Sequence, residues 1–215
     1  MGLGAMGSRM ARRLLEHGCK LTVYNRTQSK AAPLVESGAT LARTPRETAE
    51  NADFLFSMID NDETSRALWL GDDGALSGIK PGAVLMECST LSPAWIGELN
   101  ALAVDQGCEL LDAPVGGSIE PDERGELLIM AAGSVEALER ARPVLEPLSN
   151  AIKHLGPSGS GAKLKLIHNM MLAAHAANLA EGLVLAQRAG LNVEQVAQVV
   201  SNGGPNSRIV QMCAP

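Results

Sequence analysis

The sequence predicts an α/β protein: a doubly wound, mostly parallel sheet followed by an all-helical segment. Three observations carry that reading. Short apolar runs alternate with helical periodicity between residues 20 and 155. A glycine-rich turn, Gly2-Leu3-Gly4-Ala5-Met6-Gly7, opens the first helix. Beyond Gly156-Pro157-Ser158-Gly159-Ser160-Gly161 the strand pattern stops and a long helical pattern begins. The chain is therefore divided into one domain at 1–158 and a second at 159–215.

In order, Ser8 to His17 has helical spacing, with Met10, Leu14 and Leu15 on one side and Gly18 as terminator. Lys20 to Tyr24 alternates as a strand. Helices follow at Gln28 to Ser37 and at Pro45 to Asn51. Asp53 to Met58 is an apolar strand, Glu63 to Leu70 a helix, and Ala83 to Cys88 a further strand. A helix from Ala94 to Gln106 and a strand from Cys108 to Leu111 continue the alternation. Leu127 to Ala132, Val135 to Leu148 and Ala151 to Leu155 read as strand, helix and strand. Ala162 to Ala189 then forms one helix of about 28 residues, near 42 Å long. Its middle, Met170 to Ala180, is apolar or small almost all round. Such a helix is buried on every side, under other helices or a partner subunit, which predicts a homodimer or homotetramer built through it. Gly190 ends it and Asn192 caps the next helix, Val193 to Val200.

Aromatic residues make up only 2% of the chain, so the core is expected to be aliphatic. A net charge of −6 without a basic run gives no support to nucleic-acid binding. No apolar run reaches the roughly 18 to 20 residues of a membrane span. The four cysteines (Cys19, Cys88, Cys108 and Cys213) lack metal-ligand spacing and read as reduced thiols, two of them buried, in a cytoplasmic protein. Asp72-Asp73 is read as a solvated turn, and no metal is expected.

The glycine turn has the spacing of a dinucleotide-binding loop. Its first glycine permits a tight turn, its second lets backbone approach a pyrophosphate, and its third allows close helix packing. Phosphates then sit on free N–H groups at the helix start. Such a turn normally follows a strand, and only Met1 precedes it, so the expected sheet lacks its first strand and has an open position beside the loop. About 20 residues on, where an acid would accept from the ribose hydroxyls of NAD, stands Asn25-Arg26-Thr27. In isolation this is a solvated turn. After a dinucleotide loop, an amide, a guanidinium and a hydroxyl suit a ribose 2′-phosphate, which favours NADP over NAD.

Two further places offer chemistry. Asp112-Ala113-Pro114-Val115-Gly116-Gly117-Ser118 runs from a strand into small residues whose N–H groups can hold a carboxylate. Lys165 and Asn169 lie one turn apart on one face of the long helix. An ammonium whose pKa is lowered by partial burial can exchange a proton with a carbonyl or alcohol oxygen, and its charge stabilises a developing alkoxide. Asn169 can orient the substrate oxygen. His168 is the competing acid–base candidate, off that line.

Together, Gly2 to Gly7, Asn25-Arg26-Thr27, Ser89-Thr90-Leu91-Ser92-Pro93, Asp112 to Val115, and Gly159-Ser160-Gly161 leading to Lys165 and Asn169 resemble the β-hydroxyacid dehydrogenase family. These are the 3-hydroxyisobutyrate dehydrogenase-like and 6-phosphogluconate dehydrogenase-like proteins. The resemblance runs through the whole chain. It implies an N-terminal Rossmann domain, an all-helical second domain, and reversible NAD(P)-linked oxidation of a small β-hydroxy acid. It makes Lys165 the catalytic lysine and Asn169 a substrate contact. It puts Thr90 beside the nicotinamide, Met58 and Ile59 along the adenosine side, and the carboxylic acid of the substrate on Gly116, Gly117 and Ser118. Members usually carry Ser-Gly-Gly after that Pro-Val, so the acid group bound here is expected to differ. The chain also reads as truncated at both ends, with an incomplete helical domain. The resulting expectation is an NADP-preferring oxidoreductase for a small 3-hydroxy acid or semialdehyde. Its rivals are a non-catalytic NADP-binding or sensing protein and an inactive fragment.

Overall fold

The computed structural model of the chain describes residues 1–117 and 124–213. It divides into two units, Met1–Lys165 and Leu166–Pro215. The first unit is an α/β Rossmann-type fold. Its strands are β1 (Thr22–Val23), β2 (Thr40–Leu41), β3 (Phe54–Ser57), β4 (Val84–Glu87), β5 (Glu109–Asp112), β6 (Val115–Gly116), β7 (Leu127–Ala131) and β8 (Ser149–His154). Its helices are α1 (Ala5–Glu16), α2 (Ala32–Glu36), α3 (Pro45–Ala49), α4 (Asp62–Trp69), α5 (Pro93–Asp105) and α6 (Val135–Leu145). The long helix α7 (Ser160–Arg188) begins in this unit and continues into the second.

Pairing is parallel for β1 with β2, for β3, β4 and β5 in that order, and for β7 with β8. β6 pairs antiparallel with β7, and an antiparallel bridge between Asp112 and Ala132 extends that ladder back to the end of β5. All four residues of β4 are buried, as a central strand covered on both faces requires. Alternate residues feed two cores. Val84, Met86 and Leu111 pack with Met10 and Leu14 of α1 and Leu138 and Leu145 of α6. Leu85 and Leu110 pack on the other face with Trp69 of α4 and Trp95, Ile96 and Leu99 of α5. Helices therefore cover both faces, which is the doubly wound arrangement.

The core departs from the aliphatic expectation at one place. Trp69 and Trp95 are fully buried at the centre of the second cluster. Both indoles keep their polar tip satisfied: Trp69 Nε1 donates to Glu87 at 2.9 Å and Trp95 Nε1 to Ser65 Oγ at 2.9 Å. A large aromatic is accepted in a core on that condition. Local signals start the helices around it. Ser92 accepts from the Trp95 N–H with Pro93 in the first turn, and Ser134 accepts from the Ala137 N–H.

Two short strands escape the sequence pattern. Thr40–Leu41 is too brief to show alternation, and Val115–Gly116 is strand only because β7 lies beside it. Among the described residues no strand pairs β1 with β3. Met1 and Gly2 bridge them instead: the Met1 amine donates to the Phe56 carbonyl, Met58 N–H to the Met1 carbonyl, and Gly2 N–H to the Tyr24 carbonyl. A cavity of about 670 Å³ lies there, lined by Met10, Leu14, Val23 and Phe56 together with Glu47 and Asn51.

The second unit contains the remainder of α7 with α8 (Val193–Asn202) and α9 (Arg208–Cys213). Gly190 turns the chain with φ +75°, and Asn192 Oδ1 accepts from the Gln195 N–H, as its position before α8 predicts. The middle of α7 is not buried on all sides in this chain: Met170 is 64% and Met171 51% exposed. No described helix is long and apolar enough to cross a membrane.

Candidate functional site

A cavity of about 730 Å³ opens at the glycine turn. Gly2, Gly4, Ala5, Met6 and Gly7 form one wall. The turn takes its shape because two glycines admit no side chain. Gly2 has φ +83° and a Cβ there would run into the Met58 carbonyl; one on Gly7 would run into the Gly2 carbonyl. Gly4 is different, since a Cβ there would meet no protein atom within 4 Å. The space above it is open to a ligand. Gly4 is also the N-cap of α1, which has no side-chain cap and no acid in its first turn. Its leading N–H groups are available to an anion, which the helix dipole also favours. The residues present fit a dinucleotide pyrophosphate.

The second wall follows β1. Asn25 Oδ1 accepts from the Leu3 N–H at 2.8 Å, and its Nδ2 donates to the Thr27 carbonyl at 2.9 Å. The Asn25 side chain therefore shapes the turn, and Leu3 goes into the core. Arg26 and Thr27 are exposed and line the cavity, together with Lys30. Among the described residues neither Arg26 nor Lys30 joins an ion pair. Met58 and Ile59 close the third side, where Asp60 and Glu63 supply the acidic part of the lining. All the expected cofactor residues except Leu3 and Thr90 thus surround one cavity.

Thr90 stands exposed in the run after β4. That run is pinned at both ends. Ser89 Oγ accepts from the Ile59 N–H at 2.8 Å, and Ser92 donates through N–H and hydroxyl to Asp62. Behind it lies a buried polar row: Ser57, Glu87 and Asp112 are register partners at the ends of β3, β4 and β5. Glu87 accepts from Ser65 Oγ, Trp69 Nε1 and the Ser89 N–H, and burial pushes its carboxyl above the usual range. Asp112 Oδ2 accepts from the Ala162 N–H, in the first turn of α7, at 2.8 Å. Burial raises Asp112 to about 6, against the pull of the N–H groups of Ala162, Gly159 and Gly161. The hydrogen bonds and ladder contacts therefore run from the cavity at Ile59, through Ser89 and Glu87, to Asp112 and the start of α7.

Beyond Asp112, Gly116 is buried in β6, where a Cβ would press on Met130. Gly117 is exposed with φ +135°, a conformation that favours glycine. Ser118 lies outside the described residues. Lys165 is half-buried in the second turn of α7, and burial holds its ammonium below the usual lysine range. Asn169 follows on the same helix in the second unit, its Oδ1 3.3 Å from His168 Nδ1. Among the described residues no group of three or more His, Cys, Asp or Glu is gathered to hold a metal ion.

Residues 1–156 match the family model described as the NAD binding domain of 6-phosphogluconate dehydrogenase. Residues 159–215 match the model described as NAD-binding of NADP-dependent 3-hydroxyisobutyrate dehydrogenase. This chain belongs to the β-hydroxyacid dehydrogenase family. Members of that family are NAD(P)-dependent oxidoreductases acting on CH–OH groups, and the first unit is of the class that binds NAD or NADP. The NAD-dependent L-serine dehydrogenase of Pseudomonas aeruginosa is 38% identical over 95% of the chain and 69% of its own length. The chloroplastic glyoxylate/succinic semialdehyde reductase 2 of Arabidopsis thaliana is 36% identical over the whole chain, which spans 60% of that protein. The solved structure of Mycobacterium tuberculosis 3-hydroxyisobutyrate dehydrogenase with L-serine superposes with a TM-score of 0.91 at 31% identity, over 100% of this chain and 72% of that one.

Three residues at or beneath this edge of the sheet receive no role in the sequence reading. Lys30 carries a visible signal, a cation one turn after Arg26. Glu87 and Asp112 carry a weaker one, a carboxylate at the last position of a strand. Only the packing shows that both are buried.

Proposed function

We propose that the chain acts as an NADP(H)-preferring oxidoreductase on a small 3-hydroxy acid or semialdehyde, with Lys165 as proton donor and acceptor. What supports this is the carboxyl edge of the parallel sheet. The glycine cavity reaches Met58 and Ile59 just past β3, the Ser89–Ser92 run follows β4, the Gly116–Gly117 backbone lies beyond β5, and Asp112 ties the first turn of α7 to that same edge, where ligands of open α/β sheets bind. A nicotinamide dinucleotide supplies the hydride acceptor or donor when bound. The chain's own residues do the rest. Free N–H groups at the start of α1 hold the pyrophosphate, and Arg26 with Lys30 meets a 2′-phosphate. Gly116 and Gly117 take the substrate acid, with Ser118 beside them, and Thr90 lies against the nicotinamide.

Lys165 then exchanges the proton. In reduction its ammonium gives a proton to the carbonyl oxygen, and in oxidation its neutral amine takes one from the alcohol. A lysine pKa lowered by desolvation brings both forms closer to neutral pH. While charged, the same group stabilises the developing alkoxide. Asn169 orients the reacting oxygen. The names of the relatives support the substrate class, since L-serine, glyoxylate and succinic semialdehyde are short acids bearing a hydroxyl or an aldehyde. For the cofactor the relatives point both ways, with an NAD-dependent and an NADP-dependent name among them. The preference for NADP rests on Arg26 and Lys30 and on Asn25 standing where an acid would select NAD.

The apolar side chains exposed along α7 support association of two or four copies through that helix, which analytical ultracentrifugation tests directly. The test of function is turnover of a panel of short hydroxy acids and semialdehydes with each dinucleotide. Turnover with NADPH above NADH on at least one 3-hydroxy acid or semialdehyde is expected. Tight NADPH binding without turnover of any panel member would favour a non-catalytic binding protein.

A further inference from the structure

We propose that Asp112 is a positioning residue for Lys165: its carboxylate anchors the first turn of α7 to the end of β5 and so fixes the lysine relative to the Val115–Gly117 backbone. This rests on the reading of Lys165 as the proton-transfer group.

The geometry is a clamp with both jaws defined. The backbone of Asp112 is held by Ala132 through two hydrogen bonds, at 2.9 and 2.8 Å. Its side chain reaches 50 residues along the chain to the Ala162 N–H at 2.8 Å. Lys165 follows Ala162 by three residues, less than one helical turn. In the other direction Val115 follows Asp112 by three residues. One residue therefore joins the backbone proposed to hold the substrate acid to the helix proposed to carry the proton. The approach is close enough to dictate Gly161, where a Cβ would lie 2.7 Å from the carbonyls of both Asp112 and Met130.

A capping role alone does not call for an acid here. Asp112 is 1% exposed and, among the described residues, its Oδ1 meets no donor within hydrogen-bonding distance. Beyond the N–H groups at the start of α7, the side chains facing it do not stabilise its charge. From β4 comes Glu87, whose own carboxyl is buried, and just after it Cys88, whose thiol burial keeps protonated. From β7 come Met130 and Ala132, which do not titrate. From α7, Lys163 is exposed and Lys165 half-buried, and neither forms an ion pair with Asp112. An asparagine could accept from Ala162 without the cost of a buried charge. The carboxylate adds a charge-assisted bond at the positive end of a long helix, and that holds the first turn more firmly. Because burial brings Asp112 to about 6, the clamp is set above that pH and relaxes below it.

The experiment compares the chain with Asp112→Asn, Asp112→Glu and Lys165→Ala. In Asp112→Asn, kcat should fall about 10- to 100-fold, as for a small misplacement of a reacting group. The dinucleotide Kd should stay within about twofold, because the glycine cavity is untouched. The acid limb of the kcat profile near pH 6 should disappear in Asp112→Asn and persist, displaced, in Asp112→Glu. Nuclear magnetic resonance supplies a reading that needs no turnover. The Ala162 amide should titrate near pH 6 in the starting chain and in Lys165→Ala, but not in Asp112→Asn. The Lys165 side chain should titrate closer to an ordinary lysine once the anchor is gone. An Ala162 amide that ignores pH between 5 and 7, or an Asn variant with unaltered kcat and acid limb, would overturn the proposal. Undiminished turnover in Lys165→Ala would instead remove the reading it rests on, while the Ala162 titration still reports the clamp. Should Asp112→Asn fail to fold, the Ala162 titration and the acid limb of the starting chain decide.

Discussion

The glycine turn and the end of β5 stand at the same edge of the sheet and work by opposite means. At the turn the chain withdraws side chains. Gly2 and Gly7 leave no room for one, Gly4 leaves room for a ligand, and the binding groups are backbone N–H donors. At β5 the chain inserts a side chain into a place nearly closed to water, where, among the described residues, no cation pairs with the Asp112 carboxyl. The first device costs conformational freedom and does not respond to pH. The second costs stability whenever it is ionised and does respond. Rigid recognition of the dinucleotide and adjustable placement of the proton-transfer group are thereby kept on separate elements.

The largest effect that would break this division is on chemistry. Lys165→Ala should lower kcat by about 10³-fold while leaving dinucleotide affinity within about twofold in a fluorescence titration. Loss of both together would mean that the two devices are one. Next come the glycines. Gly7→Ala should weaken dinucleotide binding about 100-fold and lower Tm, because a Cβ meets the Gly2 carbonyl and the turn must move. Gly4→Ala should leave Tm unchanged, since nothing in the protein meets its Cβ, yet weaken binding about tenfold. Equal behaviour of the two variants would contradict a ligand lying over Gly4. Arg26→Ala should weaken NADPH about 10- to 100-fold and NADH little, by isothermal titration; matched losses would take the 2′-phosphate away from Arg26.

A separate effect concerns stability. Asp112 titrates at about 6 in the folded chain against 3.8 for the free group, so the folded state binds more protons between those values. Stability referred to the ionised group is full below pH 4 and is lost as pH rises through 6. Relative to Asp112→Asn, the chain should lose up to about 3 kcal/mol over that window in urea unfolding. A difference that is flat from pH 4 to 7 would show that Asp112 is not buried as a charge.

The comparison also separates what could be read from the chain and what could not. Backbone devices announce themselves, because a positive φ or a close approach admits glycine and little else. The order Gly2, Gly4, Gly7 was therefore legible, as were the cap at Asn192 and the alternation of β3, β4 and β5 with their helices. Asn25 was read as a ligand residue, yet its amide is engaged with Leu3 and Thr27, which no spacing rule discloses. The strands Thr40–Leu41 and Val115–Gly116 were not read, being too short to show a period. The tryptophans were too few to suggest that they would centre a core.

By itself the sequence determined the α/β class, the dinucleotide loop, the family and the helix that bears Lys165, because these depend on local geometry and on spacing along the chain. Tertiary structure alone decided that Glu87 and Asp112 are buried, that Asp112 reaches Ala162, and that Lys30 joins Arg26 at the cavity. Burial and contact across 50 residues are properties of packing, and a carboxylate at a strand end looks the same in sequence whether it ends in water or in the core.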